Sequence, residues 1–471
     1  MDEASIRAGW VARGLAPGEA RTVRRLTVCL LVCSDAAAAA AGLALAAALW
    51  APTGVIDGAG NWLRRETPAL LLLAVGACAI AGLHRTSNRN PYDRFRMRSR
   101  AALIYVCAAA LLLLRSDLPG ALAVVPTSGV LALVLGLWGE LWLAEILDRR
   151  GIWRVRVAVY GDDERARTCA GSLKAHPEWG MDPVAFLAAG SRGGILVASE
   201  GDRIAGEVDA LIVPEGCPPP RDLDALRRVG IESVLLWVPS AELPTFAAQI
   251  RPLDGAVAVE FGRGPRGAER AKRAADLLLA VPLAILAAPV VALLAIAIKA
   301  VDPGPALYRQ KRVGCGDREI SIVKLRTMYC DAERRLADVL AADPAAKAEW
   351  DTRFKLSADP RILPGLGAFL RRSSLDELPQ IWNVIRGDIS LVGPRPFPQY
   401  HVDAFPTDFR ALRSSVPQGL TGIWQISCRS DGDIAVQRSR DAFYIRHRSM
   451  WLDAYVILAT VPAVLRGRGA R

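Results

Sequence analysis

A chain of 471 residues with 52% hydrophobic content is too long for one domain and too apolar for an ordinary soluble enzyme. Its net charge of +11 comes from arginines grouped beside apolar runs and in the last third. These lack the aromatic interleaving of a single-strand-binding surface, which argues against nucleic acid and for lipid head groups, lipid phosphates and nucleotide diphosphates. Nine cysteines without a CxxC pair and four scattered histidines offer no zinc or redox site.

Apolar runs at 26–50, 67–83, 101–125 and 128–147 predict four membrane-spanning helices, since about 20 apolar residues cross a bilayer core. Arg115, Ser116 and Asp117 interrupt the third run and mark the turn before the fourth. Arginine sets the orientation. Arg21, Arg24 and Arg25 precede the first run, Arg85 to Arg100 holds six arginines after the second, and Arg149, Arg150, Arg154 and Arg156 follow the fourth. The intervening loops are sparse or balanced in charge. Residues 1–150 therefore read as a four-span membrane domain with both ends cytoplasmic, and no cleavable signal peptide is evident.

Over 151–262 short β-rich runs alternate with helical stretches. Strands are expected at 155–160, 194–198, 210–213 and 233–238 and helices at 164–175 and 222–229, a small parallel α/β domain. Its first turn carries only Gly161, followed by Asp162, Asp163 and Glu164. Acids repel pyrophosphate, so a regulatory or assembly role is preferred to nucleotide binding.

A Gly- and Arg-rich linker at 262–267 opens the last part, 263–471. The apolar segment 277–298 is long enough to span, but Pro282 and Pro289 interrupt it and basic residues flank both ends. A span would also carry the following region outside the cell. A re-entrant or interfacial hairpin bent near Ala288-Pro289 reconciles these features. The rest of the chain reads as a compact domain resting on the membrane.

Within it lies the run Arg371-Arg372-Ser373-Ser374-Leu375-Asp376-Glu377-Leu378-Pro379-Gln380, with Val392-Gly393-Pro394-Arg395-Pro396 close behind. Two adjacent carboxylates among arginines suit phosphate chemistry: an attacking carboxylate needs cations or helix-terminal N–H groups to neutralise the incoming charge. Glu377 is a hard oxygen ligand of the kind Mg²⁺ takes. The structural alternative is a capping box from Ser374 to Glu377 before the apolar run at 378–385, with an N-cap near Asp376 suiting Pro379 better.

Read in order with Lys311-Arg312-Val313-Gly314, Lys324-Leu325-Arg326-Thr327-Met328, Asp359-Pro360-Arg361 and Thr421-Gly422-Ile423-Trp424-Gln425, these motifs closely resemble the bacterial sugar transferase family. These are the polyprenyl-phosphate hexose-1-phosphate transferases of exopolysaccharide, capsule and O-antigen synthesis. The match runs from Lys272 to Gly469 and extends to the long architecture with four N-terminal spans. The resemblance implies an integral membrane protein with α-helical spans, a small Rossmann-like parallel α/β domain and a mixed α/β catalytic domain on a re-entrant membrane helix.

By the same resemblance, a sugar 1-phosphate, glucose in preference to galactose, passes from a UDP-sugar to undecaprenyl phosphate with release of UMP. Asp376 would be the nucleophile, Glu377 would help hold Mg²⁺, and Arg371 and Arg395 would bind phosphate. Lys324, Arg326, Trp424, Gln425 and Arg429 would bind substrate, and Ala288-Pro289 would break the re-entrant helix. The expected location is the bacterial inner membrane, multi-pass, with the catalytic domain cytoplasmic and the middle domain offering a homodimer contact. Pro417-Gln418-Gly419 and Cys428 depart from frequent family residues and weaken any transfer of sugar identity. Two other classes stay open: an inactive membrane scaffold for polysaccharide assembly, and an oxidoreductase built on the middle domain.

Overall fold

The computed structural model describes residues 17–53, 59–84, 91–113, 121–149, 153–161, 163–175, 181–189, 195–197, 208, 210–214, 233–237, 247–253, 256–262, 268–344, 347, 356, 359–427 and 434–465. The chain divides into two compact units, Met1–Leu243 and Pro244–Arg471.

The first unit begins with four helices: α1 (Pro17–Trp50), α2 (Ala59–Ile80), α3 (Pro91–Leu113) and α4 (Ala121–Asp148). Their core is built from small and branched residues, among them Ala39, Leu43, Ala46, Leu70, Ala74, Ala109 and Val125. Small side chains let apolar helices approach closely, and a Cβ on Gly42 of α1 would lie 2.9 Å from the backbone nitrogen of Ala132 in α4. Charges inside this bundle are paired with one another. Arg98 of α3 donates to Asp35 of α1 and to Glu140 of α4 at 2.6 Å each, His84 meets Asp35 at 3.1 Å, and Arg94 joins Glu140. Buried ions persist only with such partners. The break expected around Arg115 and Asp117 falls between α3 and α4, outside the described residues.

After the helices in the chain comes a five-stranded sheet made of β1 (Val155–Tyr160), β2 (Met181–Ala189), β3 (Ile195–Val197), β4 (Ala210–Pro214) and β5 (Ser233–Trp237), in the order β3-β2-β1-β4-β5. Pairing is parallel except between β2 and β3. Helix α5 (Glu164–Ala175) covers one face, where Ala166, Cys169, Ala170 and Leu173 pack on Val155, Val157 and Val159. Asp163 accepts the N–H of Ala166 at 3.0 Å, so an acid caps the turn where a dinucleotide fold binds pyrophosphate. Strand β2 was not anticipated, because its Asp182-Pro183 start masks the pattern. The helix expected at 222–229 lies outside the described residues.

The second unit opens with a hairpin, β6 (Ala247–Leu253) and β7 (Ala256–Gly262), where the sequence reading placed no strands. One continuous helix follows, α6 (Ala268–Val301), with Pro282 and Pro289 inside it. Next come the antiparallel hairpin β8 (Leu307–Val313) and β9 (Glu319–Leu325), then α7 (Ala332–Ala342), α8 (Leu366–Ser373) and α9 (Gln380–Arg386). A short parallel pair, β10 (Ser390–Val392) and β11 (Gly419–Thr421), brackets α10 (Gln399–Asp403) and α11 (Thr407–Ser414). The unit ends with α12 (Ile423–Ser427), α13 (Ile434–His447) and α14 (Met450–Leu465).

Three described helical stretches are long and apolar enough to cross a membrane: Arg25–Thr53, Ala123–Asp148 and Glu269–Val301. Helices occupy all four N-terminal positions expected, but α2 and α3 carry charge in their first half: Arg64, Arg65 and Glu66 in one, Arg94, Arg96, Arg98 and Arg100 in the other. Apolar helices together with a small parallel sheet make this the architecture of a membrane protein with an α/β domain.

Candidate active site

Helix α8 buries Gly367 and Leu370 and ends at Ser374, whose φ of 57° lies in the left-handed region. That residue reverses the chain, and Leu375–Glu377 forms a single 3₁₀ turn before α9. The structure corrects both capping readings. Ser374 closes the preceding helix, Pro379 stands at the N-cap of α9, and neither makes a side-chain cap bond. The physical reason is competition, because the carboxylate a capping box would fold back is already taken by cations.

Glu377 Oε1 accepts from Lys324 Nζ at 2.8 Å and from Arg395 Nη2 at 2.6 Å, while Arg395 Nη1 lies 3.5 Å from Oε2. Lys324 comes from β9 and Arg395 from the turn after β10. Burial opposes the Glu377 anion, yet the Arg395 and Lys324 charges outweigh it and hold its carboxyl well below the usual range. Asp376 has no hydrogen-bond partner among the described residues. Burial first, and the Glu377 anion second, push its carboxyl up to about 6, against the pull of Lys324, Arg371 and Arg395. One carboxylate is thus a fixed anion in a clamp, and its neighbour is unencumbered. Arg371, on the last turn of α8, donates from Nε to Thr327 Oγ1 at 3.0 Å, and its charge acts on Asp376.

The Arg395 turn is itself fastened by backbone contacts. Lys272 Nζ and Tyr444 Oη each donate to the Val392 carbonyl at 3.0 Å, and Arg413 donates to the Arg395 carbonyl. Gly393 N–H reaches Thr421 O at 2.9 Å and Gly419 N–H reaches Pro394 O at 2.8 Å. Only glycine fits at 419, where a Cβ would lie 2.0 Å from the Gly393 nitrogen. Lys272, Thr327, Arg413 and Tyr444 were not anticipated as parts of this site. They act on backbone or on other side chains across long sequence distances, and nothing local in the sequence marks that.

The structure therefore brings together Asp376, Glu377, Arg371, Arg395 and Lys324, but not every residue expected at the site. Arg326 is buried and bonds Asp302, the Pro305 carbonyl at 2.8 Å and Cys330; it fastens the segment that follows α6. Trp424 packs edge-on against Phe397 at 6.3 Å, and Gln425 donates to the Leu420 carbonyl at 2.9 Å. Both shape the wall behind the Arg395 turn. Arg429 lies outside the described residues, and Ala288 and Pro289 belong to α6.

No three His, Cys, Asp or Glu side chains converge as metal ligands among the described residues. Mg²⁺ keeps several waters and takes one or two carboxylates plus substrate phosphates. The unpartnered Asp376 carboxylate and the loosely held Oε2 of Glu377 are the oxygens that fit it.

Residues 267–467 match the family described as bacterial sugar transferase. The undecaprenyl-phosphate galactose phosphotransferase of Salmonella typhimurium is 30% identical over 355 residues, covering 72% of this chain and 74% of that protein. This chain belongs to the bacterial sugar transferase family. Similarity also extends to the UDP-glucose:undecaprenyl-phosphate glucose-1-phosphate transferase of Caulobacter vibrioides, 39% identical over 41% of this chain and 69% of the relative. The exopolysaccharide production protein ExoY of Rhizobium meliloti is 36% identical over 42% of this chain and 88% of its own length. As a member of this family the chain is an enzyme, a sugar-phosphate transferase, and its relatives differ in the sugar they are named for.

Proposed function

We propose that this sugar transferase moves a hexose 1-phosphate from a UDP-sugar to undecaprenyl phosphate, initiating exopolysaccharide, capsule or O-antigen synthesis through a phosphosugar carried on Asp376. The observation that carries this reading is the contrast between the two carboxylates: Oε1 of Glu377 is taken by Lys324 and Arg395, and Asp376 beside it has no hydrogen-bond partner among the described residues. An Asp376 oxygen attacks the phosphorus that bears the sugar, the bond from that phosphorus to the bridging oxygen breaks, and UMP departs with the electron pair. An oxygen of undecaprenyl phosphate then attacks the same phosphorus and releases the Asp376 carboxylate. Arg371 and Arg395 offset the charge of the entering phosphates, and Lys324 keeps Glu377 in place. Mg²⁺ would be held through Oε2 of Glu377 and would supply further charge neutralisation at the phosphates. We take glucose as the sugar, with galactose as the competitor named by the Salmonella relative.

The proposed organisation is a four-span domain over 1–150, a cytoplasmic Rossmann-like domain over 151–262 that offers a dimer contact, and a catalytic domain over 263–471 facing the cytoplasm of the inner membrane. Support for a re-entrant α6 comes from its two ends. Asp276 accepts from Ser390 Oγ at 2.7 Å, and Ile298 packs with Leu325, Leu363 and Leu370. Between them Leu278, Ile285, Leu286 and Leu293 are exposed. A helix whose two ends both pack on one domain, with one apolar face exposed between them and two prolines inside it, suits a segment that enters the bilayer and returns. The enzymatic reading is tested by UMP release from UDP-glucose and UDP-galactose with undecaprenyl phosphate and Mg²⁺, beside Asp376→Asn. Release with one donor that vanishes in the variant is expected; undiminished turnover by Asp376→Asn would refute the reading.

A further inference from the structure

Several interior cations of the catalytic unit have a carboxylate of their own: Lys272 meets Asp453 at 2.6 Å, Arg413 meets Asp441 at 3.1 Å, and Arg326 meets Asp302. Arg312 differs. Its side chain is half-buried, and its hydrogen bond among the described residues runs from Nη2 to Gln310 Oε1 at 2.5 Å, a neutral amide two residues away on the same strand.

Its position follows from the β8–β9 register. Tyr308 pairs with Lys324, Gln310 with Ile322 and Arg312 with Ile320. Directly opposed residues of an antiparallel pair, and every second residue along each strand, share one face. Arg312 therefore lies on the face from which Lys324 reaches Glu377. The far end of the hairpin is joined to the Arg395 turn, because Val313 N–H donates to the Phe397 carbonyl at 2.8 Å. One backbone bond thus brings the residue after Arg312 to the second residue after Arg395. Burial, and then the Arg395 charge, make the Arg312 cation less favourable than an exposed guanidinium, with only distant help from Glu377.

Lys324, Arg371 and Arg395 act on Asp376, and Arg312 feels the Arg395 and Glu377 charges, so four cations gather about two acids at the site. Holding a second guanidinium beside Arg395, whose acid partner Glu377 is already shared with Lys324, is costly unless a ligand brings further negative charge. We propose that Arg312 binds a phosphate group of the substrate, completing a cationic wall of which Lys324 and Arg395 are already committed to Glu377. This rests on the phosphosugar-transfer reading above. The phosphate belongs either to the nucleotide sugar or to the polyprenyl acceptor, which the two half-reactions separate.

The test uses the full chain in lipid nanodiscs with Arg312→Gln and Arg312→Lys. UMP formed without acceptor, against UDP-sugar concentration, reads the donor half; turnover against undecaprenyl phosphate reads the acceptor half. Arg312→Gln is expected to raise one of the two KM values about 10- to 100-fold, the range for a lost charged hydrogen bond. Arg312→Lys should fall between, since it keeps the charge and loses the two-pronged geometry. A raised donor KM assigns the nucleotide-sugar phosphate and a raised acceptor KM the lipid phosphate. Both KM values within twofold of wild type would overturn the proposal, as would equal losses in both variants that track lowered thermal stability. Should Arg312→Gln not fold, Arg312→Lys decides: a KM raised severalfold supports the proposal and one within twofold contradicts it. Persistence of UMP release in Asp376→Asn would instead strike the transfer reading and leave the Arg312 result standing by itself.

Discussion

Asp376 and Glu377 are neighbours in the chain, but their surroundings drive their proton affinities apart, Glu377 down and Asp376 up to about 6. A nucleophilic Asp376 must be ionised, so kcat/KM should rise with pH with a midpoint near 6. Glu377→Gln removes the adjacent anion and frees Lys324 and Arg395, so the acidic limb of any remaining activity should move to lower pH. A pH–rate profile of both enzymes checks the direction. Stability carries the opposite sign. Because the Asp376 carboxyl sits above its ordinary value of 3.8, the folded state favours the proton, and a destabilisation appears as pH rises from 3.8 through about 6. Asp376→Asn should therefore be more stable than wild type at pH 8, by on the order of 1 kcal/mol once solvent screening is allowed for. No such difference should remain below pH 4, and thermal unfolding at the two pH values reads it. The acidic pair and its arginines were legible as residue types, whereas the role of each depended on partners far away in sequence. Lys324 stands 53 residues before Glu377, and no local pattern says which of the two acids it clamps.

Among the elements, the start of α6 ties several distant parts of its unit together. Lys272 bonds both Asp453 of α14 and the carbonyl of Val392 in β10, Tyr444 of α13 reaches the same two groups, and Asp276 accepts from Ser390 and from the Leu391 N–H. The strand that presents Arg395 is therefore fixed by the helix. Lys272→Met leaves Asp453 buried with Tyr444 alone to satisfy it, and should cost about 3–5 kcal/mol. A fall in thermal unfolding temperature together with reduced UMP release would bear this out, whereas wild-type behaviour would mean that Tyr444 suffices. In the sequence Lys272 reads as one of several membrane-flanking cations, and its second use appears only when the last helix packs back. The four N-terminal helices and strands β1, β4 and β5 were legible because apolar runs of the right length determine them. The β6–β7 hairpin and β2 were not, because proline and charged residues break their alternation.

At the scale of the whole molecule, the family match is confined to 267–467, and the ExoY relative is similar to this chain over 88% of its own length but only 42% of this one. A chain beginning at residue 244 should remain membrane-associated through α6 and retain UMP release, which membrane flotation and a UMP assay together check. Loss of activity in a folded truncated chain would assign the first unit an essential part in the chemistry. The membrane character was legible from apolar length and arginine placement. The course of α6 was harder to read, because its two prolines and double basic flanks suit a bend while its length suits a span, and only its contacts at both ends weigh between them.

On the proposed mechanism the sugar phosphate rests on Asp376 between donor and acceptor. Intact-protein mass spectrometry of the purified chain, incubated with UDP-glucose or UDP-galactose and Mg²⁺ but no acceptor, tests it directly. An adduct of one hexose phosphate is expected, absent in Asp376→Asn and discharged by undecaprenyl phosphate. Full turnover in the complete reaction, with no adduct and no UMP before acceptor is added, would contradict it in favour of direct transfer from donor to lipid.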